Sequence, residues 1–187
     1  MTKDLDPGQK LAAEQAVLVV VDLQEKLLLA MDRADDCVGA AVKMIRAAQV
    51  MDVPILLTEQ YPAGLGRTCA TVRQVVGETA AIEKMRFSAC VEEVMHRLAG
   101  LKRRQVLVVG IEAHVCVQQT VLDLLRASYP TWVCADAVTS RRPLDREVAI
   151  ERMRQAGAMI TTTESANFEM LNEAGTERFR QILRIVK

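Results

Sequence analysis

The sequence predicts an α/β protein, a three-layer α/β/α sandwich built on a six-stranded parallel sheet. Short runs rich in β-branched residues alternate with stretches of helical periodicity from one end of the chain to the other. That alternation is the pattern of a parallel sheet with helices on both faces. The first run, 17–21, is apolar at every position, as a strand covered on both faces must be. No repeat, low-complexity stretch or linker interrupts the pattern, so residues 1–187 read as a single domain, with the expected strand order 3-2-1-4-5-6. A domain of this length buries roughly 70% of its unfolded surface.

The elements follow in order. Strand one occupies 17–21. A helix spans 36–51, where Val38, Ala41, Val42, Ile45 and Ala48 recur at helical spacing. Pro54 opens strand two, 55–58, and a loop with Gly64 and Gly66 follows. Strand three lies near 80–83. Ser88 is the expected N-cap of a helix that continues through Ala99 and that Gly100 ends. Strand four is 106–109, and its helix spans 113–127. Strand five is 131–134. Pro143 suits the first position of the next helix, and Gly157 follows its end. Strand six is 158–162, and a final helix lies near 176–185.

Composition narrows the function classes. Twenty-four basic and twenty-four acidic residues balance to zero, and no basic stripe or arm points to nucleic acid. The acidic opening, Met1-Thr2-Lys3-Asp4-Leu5-Asp6, is not expected to be a signal peptide. The longest apolar run, near 16–21, is far too short for a bilayer, so no membrane partner is expected. The five cysteines are scattered, without a C-x-x-C pair, and fit a reducing cytoplasm better than a disulfide framework or zinc ribbon. The two histidines, His96 and His114, are too few for a histidine-rich metal site. Strand one runs into Asp22-Leu23-Gln24-Glu25-Lys26, which has no glycine, and no G-x-x-x-x-G-K-[ST] exists. Nucleotide cofactors therefore have no support, and no cofactor is expected.

In open parallel sheets the site lies beyond the carboxyl ends of the strands. The first suspects are Asp22, residues 58–61, Lys84, residues 112–116, Asp136, Thr163 and Glu164. Asp22 ends an apolar strand, where a half-buried carboxylate has a raised pKa unless paired and can accept a proton. Lys84 ends strand three, and strands about 4.8 Å apart let a long lysine reach over its neighbour. Cys116 sits in the first turn of a helix, after a buried strand and Gly110, beside unpaired backbone N–H groups and the positive end of the helix dipole. Such a place is expected to lower the thiol pKa and to expose the sulfur at the sheet edge. Taken alone, each has a bland explanation. Asp22 is then a loop carboxylate, Lys84 a surface lysine paired with Glu83, and Cys116 an inert thiol like Cys37, Cys90 and Cys134. His114 lies two residues from Cys116, which points it elsewhere on a helix and makes it a weak candidate base.

Together and in this order the residues are specific. The motifs are Val19-Val20-Val21-Asp22-Leu23-Gln24, Lys84-Met85-Arg86-Phe87-Ser88-Ala89, Gly110-Ile111-Glu112-Ala113-His114-Val115-Cys116-Val117, Ala135-Asp136-Ala137-Val138-Thr139-Ser140-Arg141 and Thr163-Glu164-Ser165-Ala166-Asn167-Phe168. Through them the chain resembles the isochorismatase-like cysteine hydrolase superfamily. Thr58-Glu59-Gln60-Tyr61-Pro62, with the Cys116 motif, makes it most similar to the isochorismatase domain-containing proteins. The resemblance implies a triad. Asp22 would accept the thiol proton and later activate water, Lys84 would hold Asp22 and favour the thiolate, and Cys116 would attack a carbonyl carbon to form a thioester. It also implies a cis peptide at Ile111–Glu112 and an oxyanion hole made by the N–H groups of Glu112 and Cys116. Assembly into a homo-oligomer, a dimer or larger, is implied as well.

Candidate pocket residues are Leu23, Gln24, Glu59, Tyr61, Arg86, Ala113 and Arg141; Arg86 reads first as a surface salt-bridge residue and second as a bidentate site for a substrate carboxylate. Nicotinamidases of the superfamily place an aspartate and histidines after strand two to hold a metal. This chain has Glu59-Gln60-Tyr61 there, so neither a metal nor nicotinamidase activity is expected. Vinyl-ether-cleaving isochorismatases commonly lack the cysteine, so Cys116 argues against that substrate. The expected activity is hydrolysis of a non-peptide C–N bond, amide or ureido-type, in a small metabolite. The alternatives are a vinyl ether hydrolase in which Asp22 protonates substrate, a non-catalytic binding or scaffold protein, and a thiol-redox protein using Cys116. Tyr61, Gly64 and Gly66 suit a mobile lid or a rigid loop equally. Asp136 is expected to order the loop at Thr139 and Ser140, Arg103 and Arg104 to form a solvated turn, Trp132 to lie in the core or at a subunit contact, and Met44, Met51, Met153 and Met159 to lie in the core.

Overall fold

The computed structural model describes residues 9–187; the acidic opening, residues 1–6, lies outside the described residues. Six strands form one sheet: β1 (Ala16–Val21), β2 (Ile55–Gln60), β3 (Ala81–Lys84), β4 (Gln105–Ile111), β5 (Thr131–Thr139) and β6 (Met159–Thr161). All neighbours pair in parallel, in the order β3-β2-β1-β4-β5-β6. Every residue of β1 is buried, and the strand period of two divides it between two cores. Ala16, Leu18 and Val20 face a cluster with α2 (Ala34–Val50), α4 (Ala70–Val76), α8 (Thr163–Leu171) and α9 (Glu177–Val186). Val17, Val19 and Val21 face a cluster with α5 (Glu92–Leu101), α6 (Gln118–Arg126) and α7 (Pro143–Gln155). Fully burying one leucine or valine contributes roughly 1.5–3 kcal/mol, so the apolar run that predicted strand one also anchors both layers. Trp132, Met44, Met51 and Met153 are core residues, as expected, whereas Met159, on edge strand β6, is only half-buried.

Several elements differ from the sequence expectation. Helix α3 (Pro62–Leu65) occupies the stretch read as a loop, and α1 (Glu25–Leu28) and the seven-residue α4 lie where the sequence predicted no element. Helix α5 begins at Glu92 with Val91 as N-cap. Ser88 is not that cap: its hydroxyl accepts from Cys90 N at 3.1 Å, while Ala89 N donates to Thr120 Oγ1 at 2.8 Å. Gly100 lies inside α5, and Lys102, in the left-handed conformation, is the C-cap. Strand β5 runs past Cys134 to Thr139 through an irregularity that pairs Val108 with Val133 and Gly110 with Val138. Asp136, at this irregularity, does not order Thr139 and Ser140. Its carboxylate accepts from Thr163 N at 2.9 Å and Thr163 Oγ1 at 2.5 Å. Arg103 is more than a solvated turn residue, because it donates to the Ala13, Ala16 and Asp52 carbonyls.

The order of strands reverses at β1 and β4, which is where a ligand site is expected. Val21 pairs with Thr58 on one side and Gly110 on the other, and Gln60 pairs with Lys84. Gly110 has φ +128°, and a Cβ there would collide with the Val21 carbonyl. Only glycine lets these two backbones come this close immediately before their site residues.

Candidate active site

Asp22 follows β1 with φ 51°, a left-handed turn that carries its side chain off the strand. The carboxylate is wholly buried. Its Oδ1 accepts from Thr58 Oγ1 at 2.7 Å, and its Oδ2 accepts from Lys84 Nζ at 2.6 Å. Lys84 comes from β3, two strands away, and its side chain is also fully buried. Burial raises the Asp22 carboxyl above the ordinary carboxylate range, while the Lys84 charge and hydrogen bonds from Lys84, Thr58 and Cys116 act in the opposite direction.

Cys116 lies in a π-helical turn, Ala113–Val117, that leads into α6. Its sulfur meets Asp22, and the Glu112 backbone N–H faces the sulfur as well. The expectation of a low thiol pKa and an exposed sulfur is overturned. Cys116 is only 4% exposed. Burial first, and the Asp22 charge second, push the thiol up to about 12, against the pull of Lys84 and the Glu112 N–H. Desolvation outweighs the local helix-end field, so the resting group is a neutral thiol beside a carboxylate. Thr120, one turn on, donates from Oγ1 to the Cys116 carbonyl at 2.6 Å and accepts from Ala89 N, which ties the turn to the segment after β3.

The peptide bond Ile111–Glu112 is cis. The Glu112 side chain accepts from Arg141 Nε at 2.7 Å. His114 Nδ1 lies 2.9 Å from Ser140 Oγ, so its ring is engaged away from the thiol. Two side-chain links thus join the Cys116 turn to the segment after β5.

The other sequence candidates divide into groups. Leu23, next to Asp22 in the chain, and Ala113, in the Cys116 turn, are fully buried. Gln24 is buried and structural: its amide bonds Gln60 N, Gln60 O and Gly66 O. Arg86 is exposed, and its carbonyl accepts from Lys84 at 3.2 Å. Tyr61 is 46% exposed, with its ring over Gly64. The loop it begins is held by Lys26 Nζ to Gly64 O and Gln24 Nε2 to Gly66 O, bonds that favour the rigid-loop alternative.

Glu59, at the metal-ligand position of the nicotinamidases, already has partners on both oxygens. Oε1 accepts from Thr68 N and Thr68 Oγ1, each at 2.7 Å, and Oε2 accepts from Arg67 at 3.0 Å. Burial works to raise its pKa, but the Thr68 and Arg67 bonds prevail and hold it below the usual range. No group of three metal-ligating side chains occurs among the described residues. These residues do not fit a metal ion. Sequence reasoning had flagged 58–61 without assigning Thr58 and Gln60 their bonds to Asp22 and Lys84, and it missed Thr120. The i, i+4 spacing of Thr120 from Cys116 was the available signal.

Comparison with known proteins identifies the family. The isochorismatase domain model matches residues 16–165. Isochorismatase family protein 1B of Dictyostelium discoideum is 38% identical over 183 residues, which cover 95% of this chain and 89% of that protein. Among solved structures, the MAR1 ribonuclease of Caenorhabditis elegans superposes with a TM-score of 0.91 at 34% identity, covering 95% of this chain and 92% of that one. The ycaC gene product of Escherichia coli, an octameric hydrolase of unknown specificity, shares the fold at 20% identity and a TM-score of 0.85, covering 97% and 89% of the two chains. The chain belongs to the isochorismatase domain family.

Proposed function

We propose that the protein hydrolyses a non-peptide C–N bond, amide or ureido-type, of a small metabolite through a thioester on Cys116. One observation carries this reading: a wholly buried Asp22–Lys84 pair, 2.6 Å apart, against which the Cys116 sulfur rests. Because the resting thiol is protonated, attack and deprotonation are coupled. The sulfur forms a bond to the carbonyl carbon as its proton passes to Asp22. The carbonyl oxygen takes up negative charge and accepts from the backbone N–H groups of Glu112 and Cys116. The adduct collapses, the C–N bond breaks, and the leaving nitrogen takes the proton from Asp22. Water then gives a proton to Asp22 and its oxygen to the acyl carbon, and the C–S bond breaks. The proton returns to sulfur and the acid product departs. The steps are redox-neutral and consume one water.

Two further readings accompany this one. All five cysteines are free, which fits a reducing, cytoplasmic setting. No helix among the described residues is long and apolar enough to cross a membrane. A homo-oligomer is proposed because the octameric Escherichia coli hydrolase shares this fold, and Leu144 and Val148, 67% and 57% exposed on α7, are the apolar residues it could cover. Light scattering of the purified chain tests this, and a monomer would refute it.

The catalytic test is a panel of small amides and ureides screened by rapid-quench intact mass spectrometry. The expected result is an acyl adduct on Cys116 and at least a 1000-fold loss of turnover in Cys116→Ala, the scale on which covalent nucleophiles act. Turnover of any substrate class, a vinyl ether or an RNA included, that survives Cys116→Ala would refute the thioester mechanism.

A further inference from the structure

The Lys84 ammonium has three N–H bonds and meets four acceptors: Asp22 Oδ2 at 2.6 Å, Gln60 Oε1 at 2.9 Å, the Phe87 carbonyl at 2.9 Å and the Arg86 carbonyl at 3.2 Å. The three shorter contacts take up every donor, so Lys84 has none left for a substrate or a leaving group. Of these acceptors Asp22 alone is charged, two are backbone, and Gln60 is the one neutral side chain. The Gln60 amide orientation follows from its partners. Lysine can only donate, so the amide oxygen faces Nζ; the Met85 carbonyl can only accept, so Nε2 faces it, at 2.9 Å. Gln24 grips the Gln60 backbone at both N and O. Gln60 is 7% exposed and pairs with Lys84 in the sheet register.

We propose that Gln60 is a positioning residue that holds the Lys84 ammonium against Asp22, taking up one of its donors with a neutral acceptor so that Asp22 remains the only carboxylate on that cation. This rests on the thiol reading above. In the reaction, Gln60 touches neither substrate nor sulfur; it acts through Lys84. A carboxylate in its place would share the ammonium, add negative charge beside the Asp22–Cys116 pair and disfavour every step that places charge on sulfur. A side chain that only props up the loop would behave differently. Glutamate keeps the length and one of the two amide bonds, whereas leucine loses both. A structural role therefore makes Gln60→Leu the more damaging change, and the positioning role makes it Gln60→Glu.

The probe is iodoacetamide, which forms a bond to sulfur as iodide leaves, with Cys116 alkylation mapped by peptide mass spectrometry between pH 7 and 10. Wild type, Lys84→Met, Gln60→Glu and Gln60→Leu are compared after their thermal midpoints show that they are folded. Gln60→Glu is expected to slow Cys116 about tenfold at each pH, equivalent to one pKa unit, with Gln60→Leu slowed less and Lys84→Met slowed at least as much. Equal rates for Gln60→Glu and wild type, or a slower Gln60→Leu than Gln60→Glu, would overturn the proposal. If neither Lys84→Met nor Gln60→Glu moves the rate, the proposal also falls, while an acyl adduct on Cys116 would still uphold the thioester mechanism. Should Gln60→Glu not fold, the neutral Gln60→Asn, one methylene too short to reach Nζ, is expected to slow Cys116 at least threefold, and an unchanged rate overturns the idea.

Discussion

Replacing Asp22 by asparagine should make Cys116 more reactive toward a simple alkylating agent while it abolishes turnover. Burial and the Asp22 charge push the thiol up to about 12, so at pH 8 only a very small minority of molecules carries a thiolate. After burial, the Asp22 charge is the largest cause of that elevation. Two unit charges about 4 Å apart at an effective dielectric of about 20 interact by roughly 4 kcal/mol. At about 1.4 kcal/mol per pKa unit, removing one of them has an upper limit of roughly a thousandfold in thiolate population. Lys84, 2.6 Å from Asp22, already cancels part of that field, so an acceleration on the order of ten- to a hundredfold is expected in Asp22→Asn. The assay is iodoacetamide alkylation at pH 8 with Cys116 and Cys69 followed separately, Cys69 serving as internal reference. In the wild type, log rate at Cys116 should rise by one per pH unit through pH 10, since the titration lies above that range. A folded Asp22→Asn protein whose Cys116 reacts more slowly than, or as fast as, wild type would refute the electrostatic account.

Three changes probe the scaffold. Gly110→Ala should cost about 3 kcal/mol or more in urea unfolding, because a Cβ meets the Val21 backbone and the residue sits at φ +128°; an unchanged midpoint would contradict the close approach. Glu59→Gln should lose about 1–3 kcal/mol at pH 7, the range for weakening charge-assisted bonds to a buried group. The Glu59 pKa is lowered on folding from its ordinary 4.5, so that stabilisation is present above the unfolded pKa and lost as pH falls through the folded one. The gap between wild type and variant should close in acid unfolding below about pH 4, and a gap independent of pH would contradict this. Asn167 is fully buried on α8, and neither amide atom has a partner among the described residues. Asn167→Leu should therefore raise stability by about 1–3 kcal/mol, seen as a thermal midpoint higher by several degrees; no gain would show that the amide is satisfied.

The layered architecture was legible because its signals are local. A run such as Val17 to Val21, without a polar residue, has few homes other than a strand covered on both faces, and strand-end logic then singled out Asp22 and Lys84. What escaped was decided by contacts distant in sequence. Ser88 has the chemistry of an N-cap, but Thr120, from another helix, takes the neighbouring N–H and moves the helix start to Glu92. Helices α1 and α3 have four residues each, too few for a period of 3.6 to show. Strand β5 looked finished at Cys134 because Asp136 interrupts the apolar run, and only the irregular pairing with β4 carries it onward. The Cys116 pKa was misjudged in sign for the same reason. A helix-end dipole can be inferred from neighbours in the chain, whereas desolvation depends on what the completed fold places over the sulfur. Glu59 read as a pocket residue, but the fold places Thr68 and Arg67 on its oxygens.

The closed shell around Nζ bears on inhibitor chemistry. A compound whose anionic head is meant to clasp this lysine must first evict a carboxylate, an amide or a backbone carbonyl from a site shut off from solvent. An uncharged head demands no such eviction, so the charge of a ligand decides whether it must break the Lys84 shell at all.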